Sequence, residues 1–253
     1  MAEARGLHVQ QQRMVERARA EIGKTFVVWD VGLGAAANAL AVVEAFCGDA
    51  AVVELHSFDR TTGPLEFALE HAAELGYFDS REEAVGTLLR DRVVRSGNLI
   101  WRLHLADFRK ELNDPSIPAP HAVMFDPYSP AANPELWTLA TFAAIRRRVT
   151  GDCTLTSYSR STAVRTTLLL ARWFVGRGGA TGEKDETTVA ASRLGLLATP
   201  LKVNWLERVR RSTAAGPLTN EMNSKCTSVQ VAAELARHPQ FGGKRFGGAT
   251  LRN

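Results

Sequence analysis

Four aspartates could meet a ligand, because each stands at or near the end of a short apolar run: Asp30, Asp59, Asp107 and Asp126. The runs read as buried β-strands, since they are short, β-branched or aromatic, and bounded by turn residues. In open α/β sheets the ligand crevice lies at the carboxyl ends of the strands. Four acids in such positions point to a ligand with several hydrogen-bond donors or positive charge.

A glycine-rich turn follows the first of these runs. Residues 29–38 read WDVGLGAAAN, so Gly32 and Gly34 stand between a predicted strand and a predicted helix. Bare backbone N–H groups and a helix N-terminus can meet a ligand there, as they do in NAD(P) sites. Asp30 argues against a pyrophosphate and favours the ammonium and sulfonium of S-adenosylmethionine. A tight turn without a ligand is the alternative.

The next two acids suit an adenosine. Asp59 can accept hydrogen bonds from both ribose hydroxyls, a contact equally expected for NAD. Asp107 can accept from the adenine amino group while Phe108 lies on the ring. The alternatives are structural, with Asp59 as an acid ahead of a helix N-terminus and Asp107 as the N-cap of a short helix over residues 108–112.

The run Asp126-Pro127-Tyr128-Ser129-Pro130 directly follows an apolar strand. An acid followed by proline and an aromatic is typical of methyltransferases that act on exocyclic amines. The acid accepts an amine N–H, and the prolines fix the carbonyls that orient the lone pair. We therefore predict Asp126 and Tyr128 as catalytic and Pro127, Ser129 and Pro130 as substrate-binding. A plain turn after the strand is the alternative.

Hydrophobic periodicity predicts alternating strands and helices. The predicted strands span 25–31, 51–58, 99–105, 121–125, 154–158, 173–176 and 187–191. The predicted helices span 35–46, 63–75, 81–95, 162–171 and 229–237, with another beginning at Pro134 behind an Asn133 cap and ending at Arg146–Arg148. Such alternation favours a mostly parallel sheet with helices on both faces. We expect an N-terminal helical segment (1–24), a main domain (25–212) and a flexible C-terminal extension (213–253).

Composition sets the wider limits. The chain has 253 residues, 45% of them hydrophobic, and a net charge of +4, which suits a globular protein and allows a polyanionic partner. Three separated cysteines without a CxxC pair argue for a reducing compartment. Histidine spacing predicts no metal site. No secretory signal or membrane-spanning run is visible, so we expect a cytoplasmic protein.

The sequence resembles the MnmC-like family, the methyltransferase part of the bacterial enzymes for tRNA 5-methylaminomethyl-2-thiouridine. The resemblance spans roughly residues 25–192. It is carried by residues 30–34 with Asn38 and Leu40, by 126–130 with 133–138, and by 154–159 with Val164 and Arg165. It implies a Rossmann-like class I methyltransferase with a twisted, mostly parallel sheet and an antiparallel edge strand. S-adenosylmethionine is the implied cofactor, bound by Asp30, Gly32, Gly34, Asn38, Asp59, Asp107 and Phe108.

The implied acceptor is the primary amine of a modified wobble uridine in tRNA. Arg160 and Arg165 are candidate substrate-binding cations on that side. The chain is too short to hold a flavin oxidase as well, so we expect a stand-alone methyltransferase. Residues 182–187 carry acids where the family is usually basic, which favours the alternative of a small-molecule or other nucleic-acid amine. A non-catalytic RNA- or protein-binding relative and an NAD-dependent oxidoreductase are the remaining alternatives.

Overall fold

Eight strands form one sheet in the computed structural model of the protein, which describes residues 2–21, 23–182, 184–218 and 228–242. The strands are β1 (Thr25–Val31), β2 (Val52–Asp59), β3 (Val93–Ser96), β4 (Leu99–Leu105), β5 (Ala122–Phe125), β6 (Thr154–Ser157), β7 (Phe174–Gly178) and β8 (Thr187–Ala191). Their order across the sheet is β3-β4-β2-β1-β5-β6-β8-β7. The five central strands are parallel, whereas β3, β8 and β7 pair antiparallel at the two edges.

Strand β1 lies at the point where the chain changes direction across the sheet. From β1 the chain moves outward through β2 to β4 and then returns to β5 on the other side of β1. At such a switch point the loops after neighbouring strands diverge and leave a crevice at their carboxyl ends. The loops after β1, β2, β4 and β5 carry Gly32, Asp59, Asp107 and Asp126 to this crevice.

Helices cover both faces of the sheet. They are α1 (Ala2–Ala4), which continues as a π-helical segment (Arg5–Gln10), α2 (Met14–Ala20), α3 (Ala37–Ala45), α4 (Gly63–Glu70), α5 (Ala72–Leu75), α6 (Glu82–Asp91), α7 (Phe108–Glu111), α8 (Leu139–Arg148), α9 (Thr162–Leu170), α10 (Trp205–Arg211) and α11 (Ser228–Leu235), with 3₁₀ turns at Leu194–Leu196 and Pro239–Phe241. Alternate residues of β1 enter opposite cores, Trp29 in one and Val28 in the other. The predicted fold class is therefore confirmed. None of these helices is long and apolar enough to cross a membrane.

Three predicted helices differ from the structure, and the one predicted over 63–75 divides into α4 and α5 at His71. The helix predicted over 81–95 ends at Asp91, because Arg92 is left-handed (φ +61°) and the chain then turns into the edge strand β3. The helix predicted from Pro134 begins instead at Leu139, where Thr138 is the cap and its hydroxyl accepts from the Thr141 N–H. Asn133 has a different partner, since its side-chain amide donates to the Pro127 carbonyl at 2.9 Å.

Both chain ends pack on the central domain where the structure describes them. Gln12 of the N-terminal segment donates to the Val123 carbonyl (3.2 Å) and to the Thr156 hydroxyl (2.6 Å). In the C-terminal part, α11 packs on α10, and Gln240 bonds both backbone groups of Val175 at 2.7 Å. Of the predicted flexible extension, residues 219–227 and 243–253 lie outside the described part of the chain.

Candidate active site

Two adjoining cavities open at the carboxyl ends of the central strands. The first, the Asp126 cavity, has a volume of about 350 Å³ and is lined by Glu3, Gly34, Asn38, Asp126, Tyr128 and Tyr158, among others. The second, the Asp59 cavity, has about 130 Å³ and is lined by Asp59, Arg60, Asp107, Phe108, Pro127 and Tyr128, among others. Gly32 and Tyr128 belong to both linings. A larger groove of about 1000 Å³ lies between α3, α6 and the β3–β4 turn, and none of the predicted site residues lines it.

The glycine turn brings the loops after β1 and β5 into contact. Gly32 is left-handed (φ +91°), and a Cβ atom there would lie 2.6 Å from the Asp126 carbonyl oxygen and 2.6 Å from the Pro127 Cα. Any other residue would push these two loops apart. Gly34 is also left-handed, and its N–H donates to the Asp59 Oδ2 at 3.0 Å. The turn thus links three of the predicted site segments.

Asp59 lies at the rim of its cavity, and hydrogen bonds from the backbone already occupy part of its carboxylate. Besides the Gly34 N–H, it accepts from the backbone N–H groups of Arg60 (2.7 Å) and Thr61 (3.3 Å). A carboxylate has about four lone-pair positions, so the arrangement leaves room for a ligand hydroxyl. Asp59 therefore serves as a loop anchor and stays available to a ribose.

Asp107 caps a helix, as its structural alternative predicts. It accepts from the Arg109 backbone N–H and guanidinium, both at 3.0 Å, and this pairing lowers the pKa of Asp107. Asp107 still lines the Asp59 cavity. Phe108 is buried there, with ring centres 5.0 Å from Phe58 and 6.0 Å from Trp29. The Phe58 and Phe108 rings give the cavity an apolar wall suited to a purine.

Asp126 is the carboxylate at the centre of the site. Its backbone N–H donates to the Val31 carbonyl at 2.9 Å, which extends the β1–β5 pairing by one residue. Its Oδ2 accepts from the Asn38 amide at 3.1 Å. Burial raises the pKa of Asp126 to about 6, while the Asn38 hydrogen bond and the Lys184 charge lower it and the Glu3 charge raises it. The group is mostly ionised at neutral pH and can accept a proton.

Tyr128 has a strained backbone held by its neighbours. Its φ of +55° is rare for a residue with a side chain. Its N–H donates to the Asp126 carbonyl at 2.9 Å, and its own carbonyl accepts from the Trp137 indole at 3.2 Å. The side chain is 62% exposed and lines both cavities. Backbone strain that neighbouring hydrogen bonds hold in place is common at ligand sites.

The other residues of the 126–130 run have different positions: Pro127 lines a cavity, whereas Ser129 and Pro130 belong to the loop. Pro127 is buried and lines the Asp59 cavity. The Ser129 hydroxyl accepts from the Ala132 N–H at 3.3 Å, so it closes the loop locally. Neither Ser129 nor Pro130 lines either cavity. Their predicted contact with substrate has no geometric support in the described residues.

Asp30 lies behind the glycine turn and lines neither cavity. It is fully buried, and its Oδ2 accepts from the Ser57 hydroxyl at 2.8 Å. Its Oδ1 has no hydrogen-bond partner among the described residues. Burial is the main cause that raises the pKa of Asp30 to about 8. This position gives no geometric support to the direct ligand contact predicted for Asp30, although an unpartnered buried acceptor lies behind the turn.

The two predicted substrate-binding arginines already have partners. Arg165 is 1% exposed and donates to Glu186 (2.9 Å), to the Thr188 hydroxyl (3.0 Å) and to the Thr187 carbonyl (2.8 Å). This is the environment of a structural residue, so the prediction that Arg165 contacts substrate is not supported. Arg160 is exposed and lies 3.7 Å from Asp185.

Reasoning from the sequence missed several lining residues, among them Tyr158, Glu3 and Arg60. Tyr158 directly follows β6, so the strand-end rule could have found it. Burial, helped by the charges of Asp126 and Glu3, raises the pKa of Tyr158. Glu3 reaches the Asp126 cavity from α1, and Arg60 follows Asp59 at the other cavity. Nothing in the sequence ties Glu3 to a site 120 residues away.

The residues present fit S-adenosylmethionine. Asp59 would hold the ribose, and Phe108 with its aromatic neighbours would pack on the adenine. The Asp126 cavity, with the exposed carboxylate of Glu3 and the half-buried one of Asp126, would take the positively charged end, because a carboxylate favours a nearby cation. This donor set is wrong for a dinucleotide pyrophosphate, since the cavity next to the glycine turn is lined by acids.

Comparisons with known proteins point the same way. Residues 87–193 match a family described as S-adenosyl-L-methionine-dependent methyltransferase. The tRNA 5-methylaminomethyl-2-thiouridine biosynthesis bifunctional protein MnmC of Ralstonia nicotianae is 31% identical over 216 residues, and that of Aeromonas hydrophila is 28% identical over 205 residues. These matches cover 79% and 74% of this chain but only 30% of each relative, so the chain spans about a third of their length.

A solved structure shares the fold. The crystal structure of MnmC2 from Aquifex aeolicus superposes with a TM-score of 0.66 over 94% of this chain and 75% of that one, at 24% identity. The resemblance drawn from the sequence is confirmed, together with the cofactor class. The chain is similar to the MnmC proteins, and the family match over residues 87–193 supports S-adenosylmethionine-dependent methyltransferase activity.

Proposed function

We propose that the protein transfers the methyl group of S-adenosylmethionine to an amine nitrogen, and that this nitrogen is the aminomethyl group of a modified wobble uridine in tRNA. The observation that carries the proposal is the Asp126 carboxylate, which lines the cavity beside the glycine turn and is oriented by Asn38. The relatives named for tRNA 5-methylaminomethyl-2-thiouridine biosynthesis support the choice of acceptor.

Asp126 would orient the amine and take its proton. Its Oδ1 has no hydrogen-bond partner among the described residues, so this oxygen is open to an amine N–H. S-adenosylmethionine, when bound, supplies a methyl group on a positively charged sulfur. Transfer of that methyl group to the amine would leave the nitrogen cationic, and Asp126 or solvent would then take its proton. Holding both reactants in line can supply much of the rate enhancement, about 7–11 kcal/mol at best.

The acids of residues 182–187 oppose a tRNA acceptor less than the sequence indicates. Glu186 pairs with buried Arg165 at 2.9 Å, and Asp185 lies 3.7 Å from Arg160. A neutralised carboxylate repels a phosphate less than a free one. Arg160 neutralises Asp185 less completely, because the Asp185 side chain is almost fully exposed and water screens the pair.

A small amine is the second candidate acceptor. It is favoured by the pairing of the arginines nearest the Asp59 cavity, Arg60 with Glu135 at 3.2 Å and Arg109 with Asp107. Paired guanidinium groups leave fewer cations for a polyanion. In this case the cavity itself would select the acceptor by size.

The experiment offers the purified protein two acceptors with labelled S-adenosylmethionine. One is tRNA that carries 5-aminomethyl-2-thiouridine at the wobble position, and the other is a panel of small primary amines. Label on that wobble nucleoside, found by mass spectrometry after digestion, supports the proposal. Label on the small amines alone would favour the second candidate, methylation of a small amine. An Asp126→Ala protein is the control for methylation by a contaminant.

A further inference from the structure

Lys184 lies over Tyr158, which is one of the residues that line the Asp126 cavity. Its ammonium is 5.5 Å from the centre of the Tyr158 ring, and Tyr158 lines that cavity with Asp126. The charge reaches the site, because Lys184 is one of the groups that lower the pKa of Asp126. Sequence reasoning grouped Lys184 with an acidic segment and assigned it no role.

The backbone holds Lys184 in this place. Thr181 and Lys184 exchange both backbone hydrogen bonds, at 2.9 and 2.8 Å. Gly182 is left-handed (φ +48°) and packs on the N-terminal helix, since a Cβ atom there would lie 3.1 Å from the Glu3 Oε1. Lys184 is therefore presented by a tight turn that rests on another wall of the same cavity.

The ammonium of Lys184 is free to bind an anion. Among the described residues, no carboxylate lies within 4 Å of it, whereas the neighbouring Asp185 and Glu186 have arginine partners. A cation over an aromatic ring is attracted by the negative face of that ring. That contact fixes the ammonium while its three N–H groups stay available to oxygen acceptors.

We propose that Lys184, held over Tyr158, binds a phosphate group of the acceptor while the acceptor's amine lies at Asp126. The inference rests on the proposed function and deepens it, because it makes the acceptor a nucleotide within a chain rather than a free amine. Tyr158 adds an aromatic surface on which a planar base can stack. An anionic group, an aromatic ring and an amine would then each meet a matching group within one cavity.

An electrostatic role is the competing account of the same geometry. A cation beside Asp126 would also favour the neutral, reactive form of the amine, whether or not the acceptor carries phosphate. The two accounts differ in one measurable respect. A phosphate contact is lost when the acceptor lacks phosphate, whereas an effect on the amine persists with every acceptor.

The test compares two acceptors that share the reacting group. One is an anticodon stem-loop RNA with 5-aminomethyl-2-thiouridine at the wobble position, and the other is the free nucleoside. Lys184→Gln should raise KM for the stem-loop about 10-fold, the scale of a hydrogen bond to a charged group, and leave kcat/KM for the nucleoside within 2-fold. Lys184→Arg should retain most stem-loop activity. The matched control is Lys202→Gln, because Lys202 is exposed and lines neither cavity.

A salt titration gives a second reading that does not need the nucleoside. The slope of log KM for the stem-loop against log[NaCl] should fall by about 0.7 in Lys184→Gln, as expected for one lost phosphate contact on a single strand. An unchanged KM and slope, or an equal loss with both acceptors, would overturn the phosphate role. A wild-type enzyme that methylates neither acceptor would overturn the proposed function itself, and this inference with it.

Discussion

The Asn38 side-chain amide donates a 3.1 Å hydrogen bond to the Asp126 Oδ2, across the cavity wall formed by the glycine turn. Asn38 stands in the first turn of α3 and Asp126 directly after β5, so the bond joins the two loops that meet at Gly32. It fixes the carboxylate and leaves the other oxygen without a protein partner. We infer that Asn38 acts by positioning Asp126, in addition to any contact with the cofactor.

Replacing Asp126 should separate catalysis from cofactor binding. Its contact with the amine strengthens as the nitrogen becomes cationic, so the loss should fall mainly on kcat. Asp126→Ala should slow turnover by about 100-fold or more, the usual scale for a positioned acid or base. Affinity for S-adenosylhomocysteine, measured by calorimetry, should stay within a few-fold.

The control for this variant is Asp126→Asn, which keeps the shape of the side chain but cannot take a proton. It should be about as slow as Asp126→Ala. If either variant methylates its acceptor at close to the wild-type rate, residues 126–130 form only a turn, and the amine methyltransferase proposal loses its main support.

Removing the Asn38 amide should move the acid limb of the pH–rate profile. Activity needs ionised Asp126, whose pKa is about 6, and the Asn38 hydrogen bond lowers that pKa. In Asn38→Ala the pKa rises, so kcat/KM should begin to fall at a higher pH than in the wild type. The alkaline side, set by deprotonation of the acceptor amine, should not move. Asn98→Ala, at the exposed start of β4, is the control. An acid limb that stays in place would contradict the positioning role.

Asp59 is expected to bind the cofactor ribose. Asp59→Ala should weaken binding of S-adenosylmethionine and S-adenosylhomocysteine by about 1–3 kcal/mol through lost hydrogen bonds. Because Asp59 also accepts from the Gly34 and Arg60 N–H groups, a thermal melt must show that the variant still folds. A folded variant with wild-type affinity for both ligands would show that Asp59 does not contribute to cofactor binding.

The sheet could be predicted from the sequence because its strands are buried on both faces. Runs such as 187–191, and 25–31 apart from Asp30, are apolar or β-branched throughout, and their predicted bounds match β8 and β1. Strand β3 could not be found in the same way. Its four residues are half exposed at a sheet edge and continue a helical pattern, so only the left-handed Arg92 and the turn at Gly97 separate strand from helix.

The candidate site was predictable where one residue type at a strand end carries the chemistry. Asp59 and Asp126 follow that rule and line the two cavities. Reasoning from the sequence failed for side chains whose role depends on distant partners. Asp30 turns into the core toward Ser57, and Arg165 turns toward Glu186, neither of which local spacing reveals.

The buried Asp30 carboxyl should make the free energy of unfolding fall as the pH rises. Burial raises the pKa of its carboxyl to about 8, so the folded state favours the neutral form, while the unfolded chain ionises near 3.8. Stability from this group is present below pH 3.8 and is lost as the pH rises toward 8. Asp30→Asn removes the titration, so its stability relative to wild type should rise by about 1.4 kcal/mol per pH unit across that window. Urea unfolding between pH 5 and 8 measures the difference, and a constant difference would contradict it.

The last prediction concerns Arg165, for which sequence and structure suggest different roles. From the sequence, Arg165 is a candidate substrate-binding cation, whereas the structure buries the guanidinium against Glu186 and the backbone of β8. Arg165→Met leaves the partly exposed Glu186 with Arg177, 3.9 Å away, as its remaining arginine partner among the described residues, and removing one partner of a buried pair costs at most about 3–5 kcal/mol. We therefore expect a large loss of unfolding free energy, with KM for the acceptor nearly unchanged in the protein that remains folded at low temperature. Arg160→Met, whose exposed partner contributes little, is the matched control and should unfold like the wild type. A stable Arg165→Met protein with a raised KM would contradict the structural role and support substrate binding by Arg165.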